Sequence, residues 1–118
     1  MTLIKLIYKV IFVKNFIMHN TIKNLIYIED LIKSKLNDNK VPKIIAVSKT
    51  FPMENILPLI KYGHIHYGEN KVQEALDKWT ELKSHNDIIK LHLIGRLQTN
   101  KVKFAIRVFD YIHSLDSE

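Results

Sequence analysis

Apolar positions along this chain change period several times, and each change marks an element. Over residues 21–37, Ile22, Leu25, Ile26 and Ile32 recur at helical spacing with Glu29 as a polar break. Asn20 or Thr21 stands where a helix cap belongs. Asn37-Asp38-Asn39-Lys40 reads as a loop. Lys43 to Lys49 then carries the continuous apolar run Ile44, Ile45, Ala46, Val47 between Pro42 and Pro52. A run of that kind suits a strand covered on both faces, as in a parallel sheet. Met53 to Tyr62 reads as a helix that Gly63 stops, and Pro58 inside it should kink or shorten it. His64 to Tyr67 is a second short strand and Gly68-Glu69-Asn70 a turn. Asn70 with Gln73 has capping-box spacing, followed by Val72, Ala75, Leu76, Trp79 and Leu82 on one helical face. Ser84 to Asp87 is a loop and Ile88 to Ile94 a third strand, ended by Gly95. Gln98 to Val108 is a further helix with Val102, Ala105, Ile106 and Phe109 as its apolar side, and Phe109 to Ser114 begins a fourth strand.

The order is helix, then β-α-β-α-β-α-β. Strands alternating with helices across short loops imply parallel pairing through right-handed crossovers. Four strands fit either an open doubly wound sheet or half of a closed barrel.

Composition narrows the function classes. At 118 residues the chain is one domain with room for a modest core. It has no cysteine, which removes disulfides, thiolate metal sites and thiol nucleophiles. The net charge of +6 suggests an anionic partner, but sixteen of the eighteen basic residues are lysines spread along the chain rather than gathered in a patch. No specific nucleic-acid partner is expected. Residues 1–19 form an apolar extension interrupted by Lys5, Lys9 and Lys14. Those charges argue against a membrane span and against a signal peptide, leaving a basic surface helix or upstream sequence preceding a start at Met18.

Three residues stand out as chemistry. Alternation places Ile45, Val47 and Lys49 on one strand face, with Lys49 where the strand gives way to a turn. An amine withdrawn from water can stay neutral, and the neutral amine is the form that attacks an aldehyde. A solvated lysine merely ending a strand is the competing reading. Asn70 ends the second strand, as a helix cap or as a ligand contact. His92 lies in the third strand, as a packed core histidine or as a ligand neighbour. His64 and His66 alternate along a strand, but a metal site there lacks further ligands. Gln98 and Asn100 suit backbone capping, and Arg96 with Lys101 suits an anion; no glycine-rich phosphate loop is present.

Four stretches, KIIAVSKT at 43–50, YGENKVQEAL at 67–76, LHLIGRLQTNK at 91–101 and FDYIHSLD at 109–116, occur in an order that closely resembles the YggS/PROSC family of pyridoxal-phosphate-binding proteins. The resemblance covers roughly residues 20–116. It implies an α/β fold: the N-terminal half of a (β/α)8 TIM-type barrel similar to the alanine racemase N-terminal domain, preceded by a helix. Residues 20–118 would be that barrel segment, with 1–19 an extension. It further implies pyridoxal 5'-phosphate as cofactor, Lys49 as its Schiff-base lysine and Asn70 and His92 as its neighbours, in a non-catalytic, cytoplasmic carrier or homeostasis role. The family's Trp-His-Phe-Ile-Gly pattern is Leu91-His92-Leu93-Ile94-Gly95 here, without the aromatics. The family's phosphate-binding and pyridine-binding groups belong to later strands, so a truncated or split-gene product that has lost the cofactor is the second expectation. Its partner would be a separate chain supplying the missing half-barrel, or a second copy. A basic module for surfaces or nucleic acid is the third.

Overall fold

The computed structural model describes residues 8–12, 18–36 and 42–113. Five strands form one parallel sheet in sequential order: β1 (Tyr8–Phe12), β2 (Lys43–Val47), β3 (His66–Glu69), β4 (Lys90–Leu93) and β5 (Tyr111–Ile112). Between them run α1 (Met18–Lys35), α2 (Met53–Tyr62), α3 (Val72–His85), a 3-10 turn (Thr99–Lys101) and α4 (Val102–Val108). Pairing puts Val47 beside Gly68, Gly68 beside His92, and His92 beside Tyr111.

Alternation divides the sheet into two faces. Ile44, Ala46, Tyr67, Leu91 and Leu93 form one core cluster with Leu25 of α1, Ile56 and Leu59 of α2, Ala75 and Trp79 of α3, and Ala105 and Val108 of α4. All four helices therefore cover one side. Sequential strand order with helices on one side is a singly wound α/β arrangement; a doubly wound sheet reverses its order and covers both faces. Ile45, Val47, His66, Gly68, His92 and Tyr111 belong to the opposite face by the same alternation.

Several boundaries differ from the sequence reading for local reasons. Within the N-terminal extension, Tyr8–Phe12 is a strand paired parallel to β2, not a surface helix; residues 1–7 lie outside the described set. The helix expected from 21 starts at Met18, so Asn20 and Thr21 are inside it rather than capping it. The expected loop at 37–40 lies outside the described residues, as does Ser114. β2 stops at Val47, two residues before Lys49. Pro58 does not shorten α2, which reaches Tyr62. Only its own missing bond to Glu54 is forgone, and its buried ring contributes packing.

Gly63 closes α2 at φ 108, donating to the Ile60 and Leu59 carbonyls, and the His64 N–H also donates to Leu59 O at 3.0 Å. That helix-end bond holds His64 out of the sheet, so β3 begins at His66 and takes in Gly68 and Glu69. The capping box does not form. α3 starts at Val72 with Lys71 at the cap, and Gln73 instead donates to Asp77 at 3.0 Å. β4 is shorter than expected, leaving Ile88 exposed. α4 buries Ala105 and Val108, while Val102 and Ile106, expected on its apolar side, are exposed. Gln98 precedes the 3-10 turn without a side-chain capping bond.

Candidate functional site

Lys49 sits in the turn joining β2 to α2, half-buried. The turn is held from below. Ser48, fully buried, donates its N–H to Gly68 O at 2.9 Å and its Oγ to Glu69 Oε2 at 2.7 Å. Glu69 is itself fully buried and accepts Trp79 Nε1 at 2.9 Å. The Lys78 ammonium lies 2.8 Å from the same carboxylate oxygen and donates to Ser48 O and Phe51 O, both at 2.7 Å. Two carbonyls that flank Lys49 are thus clamped by one cation from α3.

The next residue carries strain. Thr50 has φ 65, in the left-handed region that a β-branched residue rarely enters. Such a conformation costs on the order of 1–3 kcal/mol and persists where its surroundings over-determine it. Here the Thr50 N–H donates to Glu74 Oε2 at 2.7 Å and Phe51 N–H closes on Ser48 O at 3.2 Å. Glu74 and Lys78, an i,i+4 pair on α3, together fix the backbone on both sides of Lys49.

Asn70 follows β3, and its Oδ1 is buried with no hydrogen-bond partner. Leaving a buried acceptor unpaired costs on the order of 1–3 kcal/mol, so such an atom calls for a donor. A neighbouring glycine sets the approach: a Cβ on Gly95 would lie 2.7 Å from Asn70 O and 2.9 Å from Asn70 Cβ. Beside it opens a cavity of about 320 Å³ lined by Asn70, Lys71, Gln73, Arg96, Gln98 and Lys101, among others. Arg96 and Lys101, expected to suit an anion, do share one cavity, and Lys71 joins them. Lys49 does not line it.

His92 is fully buried in β4. Its Nε2 is 2.9 Å from His66 Nδ1 and its Nδ1 2.7 Å from His113 Nε2, and its ring stacks on Tyr111 at 4.6 Å. Burial, reinforced by the neighbouring histidines and by Lys43 and Lys83, pulls its pKa down to about 3. The same cause lowers His66 to about 4, with Lys43, His64 and Lys90 adding to it. Both rings are neutral at pH 7. Among the described residues no group of three or more His, Asp or Glu is arranged to hold a metal.

The structure therefore sets Lys49 and Asn70 at the C-terminal ends of neighbouring strands and puts His92 lower, inside β4. Glu69, Glu74, Lys78 and His113 were not singled out as functional from sequence, and His66 was weighed only with His64 as a metal ligand. The i,i+4 spacing of Glu74 and Lys78 was visible, whereas Glu69 read as part of a turn between Gly68 and Asn70. The contacts that give them meaning span 20 or more residues. Among the described residues no helix is long and apolar enough to cross a membrane.

No family model matches the chain. It is similar to curated proteins named pyridoxal phosphate homeostasis protein. That of Buchnera aphidicola (subspecies Schizaphis graminum) is 39% identical over 105 residues, covering 86% of this chain and 45% of the relative. That of Vibrio cholerae is 41% identical over 78 residues, covering 64% and 33%. Among solved structures, PipY of Synechococcus elongatus with PLP bound is 42% identical at a TM-score of 0.62, covering 75% of this chain and 40% of PipY. A protein from Bifidobacterium adolescentis is 27% identical at 0.64, covering 85% and 43%. The chain spans less than half the length of these relatives.

Proposed function

The chain belongs to the YggS/PROSC family of pyridoxal phosphate homeostasis proteins, and from that premise we propose that it binds pyridoxal 5'-phosphate covalently through Lys49 as a non-catalytic carrier of the cofactor. The observation that carries the reading is the turn around Lys49. A strained residue, a buried carboxylate and a buried cation are spent on holding one backbone segment, and the side chain it presents is an amine. When bound, the cofactor supplies an aldehyde that condenses with an amine, forming a carbon–nitrogen double bond and releasing one water. This chain's residues do the rest. Lys49 provides the nitrogen. The unpaired Asn70 Oδ1 accepts a hydrogen bond from a polar group of the ligand. Val47, fully buried on the strand leading to Lys49, supplies apolar surface beneath the turn. Neutral His92 adds no charge to that face.

The singly wound sheet is read as part of a (β/α)8 barrel like that of the alanine racemase N-terminal domain, which keeps its site at the C-terminal ends of its strands, where Lys49 and Asn70 lie. β1 and β5 end the described sheet, and further strands, from a second copy or another chain, would pair there. The cytoplasm is the proposed place of action.

The test is spectroscopic. Adding pyridoxal 5'-phosphate to the protein should give a visible absorbance band that borohydride bleaches, and Lys49→Ala should lose it. Equal weak labelling of many lysines in both proteins would refute the reading.

A further inference from the structure

Three histidines from three successive strands are joined edge to edge on the face opposite the helices. His66 Nδ1 meets His92 Nε2 at 2.9 Å, and His92 Nδ1 meets His113 Nε2 at 2.7 Å. His66 opens β3, His92 lies in β4, and His113 follows the last residue of β5. The row thus crosses the sheet diagonally, from its N-terminal side to the level of Asn70 and Lys49. Tyr111 stacks on the central ring at an interplanar angle of 15°, which fixes the plane in which both nitrogens point. Lys43, Lys90, His64 and Asp110 surround His66, and Lys43 and Lys83 act on His92.

A neutral imidazole has one N–H and one acceptor nitrogen. Three neutral rings joined in this way have two tautomer orders. In the first, His66 and His92 donate from Nδ1, and His113 keeps its proton on Nδ1. In the second, His113 and His92 donate from Nε2, and His66 keeps its proton on Nε2. One proton entering at His66 Nε2, with two hops along the row and one proton leaving from His113 Nδ1, converts the first order into the second. No charge remains on the rings and no electron changes hands. The reverse passage restores the first order.

We propose that His66, His92 and His113 form a proton-transfer chain that serves the rim where Lys49 stands. The proposal rests on the reading of Lys49 given above. Condensation of an amine with an aldehyde removes protons from nitrogen and expels water, and release reverses both, so the rim at Lys49 must pass protons in each direction. Depressed basicity keeps the row uncharged at rest, as such a path requires.

A proton path alters rates in both directions and leaves the equilibrium alone. The variants are His113→Phe and, at the other half-buried end, His66→Gln, each checked for folding by circular dichroism so that either can stand in for the other. Pyridoxal 5'-phosphate is the probe. Capture is followed by the growth of the Lys49-dependent band, and release by its decay after dilution into a competing amine. Each variant is expected to slow both steps at least about tenfold while saturating occupancy stays unchanged. In cofactor-free protein, nitrogen NMR of the rings should show that His113→Phe changes the Nδ1 and Nε2 shifts of His66, two rings away. Unchanged rates, occupancy that falls in step with the rates, or His66 nitrogens indifferent to His113 would overturn the chain. If wild-type protein forms no Lys49-dependent band, the cofactor reading fails, and the NMR coupling alone decides whether the row is one unit.

Discussion

The two faces of this sheet are built from alternate residues of the same strands, yet they are furnished differently. The helix-covered face is apolar from Ile44 to Leu93, with one polar insertion, the Ser48–Glu69–Lys78–Trp79 cluster. The opposite face starts apolar at Ile45 and Val47 and becomes polar strand by strand through His66, His92 and His113. On the first face, Glu69 Oε2 gathers Ser48, Trp79 and Lys78, and Lys78 holds the backbone of the Lys49 turn, while Glu69 Oε1 is left without a hydrogen bond among the described residues. On the second, polar groups pair with one another or, at Asn70, with nothing among the described residues. The lesson is a division of labour, in which the covered face positions and the other face presents.

The largest effects should come from breaking the positioning side. Trp79→Ala removes the largest fully buried side chain together with a donor to Glu69, and should cost about 3–5 kcal/mol by denaturant unfolding. Lys78→Met leaves the Glu69 carboxylate buried without its cation and should cost a similar 3–5 kcal/mol, roughly. Adding Glu69→Leu should recover part of that stability without restoring selective labelling of Lys49. If the double variant labels as wild type does, the cluster does not position the turn.

The histidine face should show itself through pH. The folded-state pKa values of His66 and His92 lie at about 4 and about 3, below the usual 6.5. The unfolded chain therefore binds more protons between those values and about 6.5, so stability rises with pH across that window. Acidification from pH 7 to 4 should lower the stability progressively, and His66→Gln should flatten the slope. A slope unchanged by that substitution would detach the row from the acid response.

Smaller effects sharpen the contrast at the rim. Gly95→Ala drives a methyl to 2.7 Å from the Asn70 carbonyl oxygen; overpacking of this kind costs about 1–3 kcal/mol and should weaken cofactor binding by displacing Asn70. Thr50→Gly relieves the left-handed strain and should be neutral or stabilising by up to about 1 kcal/mol, as read by thermal unfolding. It should nevertheless slow Lys49 labelling, because the turn loses its rigidity.

How much of this was legible depends on range. α2 could be read to its last residue because Pro52 and Gly63 are punctuation that acts locally. The α3 stripe was legible because Val72, Ala75 and Trp79 repeat at helical spacing. Lys49 at the end of an apolar run followed from alternation and flanking prolines. The start of β3 was missed because the His64 N–H is claimed by the end of α2. β1 was missed because interspersed lysines obscured a strand whose pairing partner lies more than thirty residues away. The clamp on the Lys49 turn and the histidine row are contacts between strands and helices distant in sequence. No spacing rule within one element encodes them.

One amine among sixteen lysines is assigned the covalent role. Its most direct test is borohydride trapping at limiting pyridoxal 5'-phosphate, followed by peptide mass mapping of every lysine. The reduced pyridoxyl phosphate group should sit on Lys49 in large excess over every other lysine, and Lys49→Ala should leave only a faint, even background. Labelling spread evenly across the lysines of the unaltered protein would contradict it.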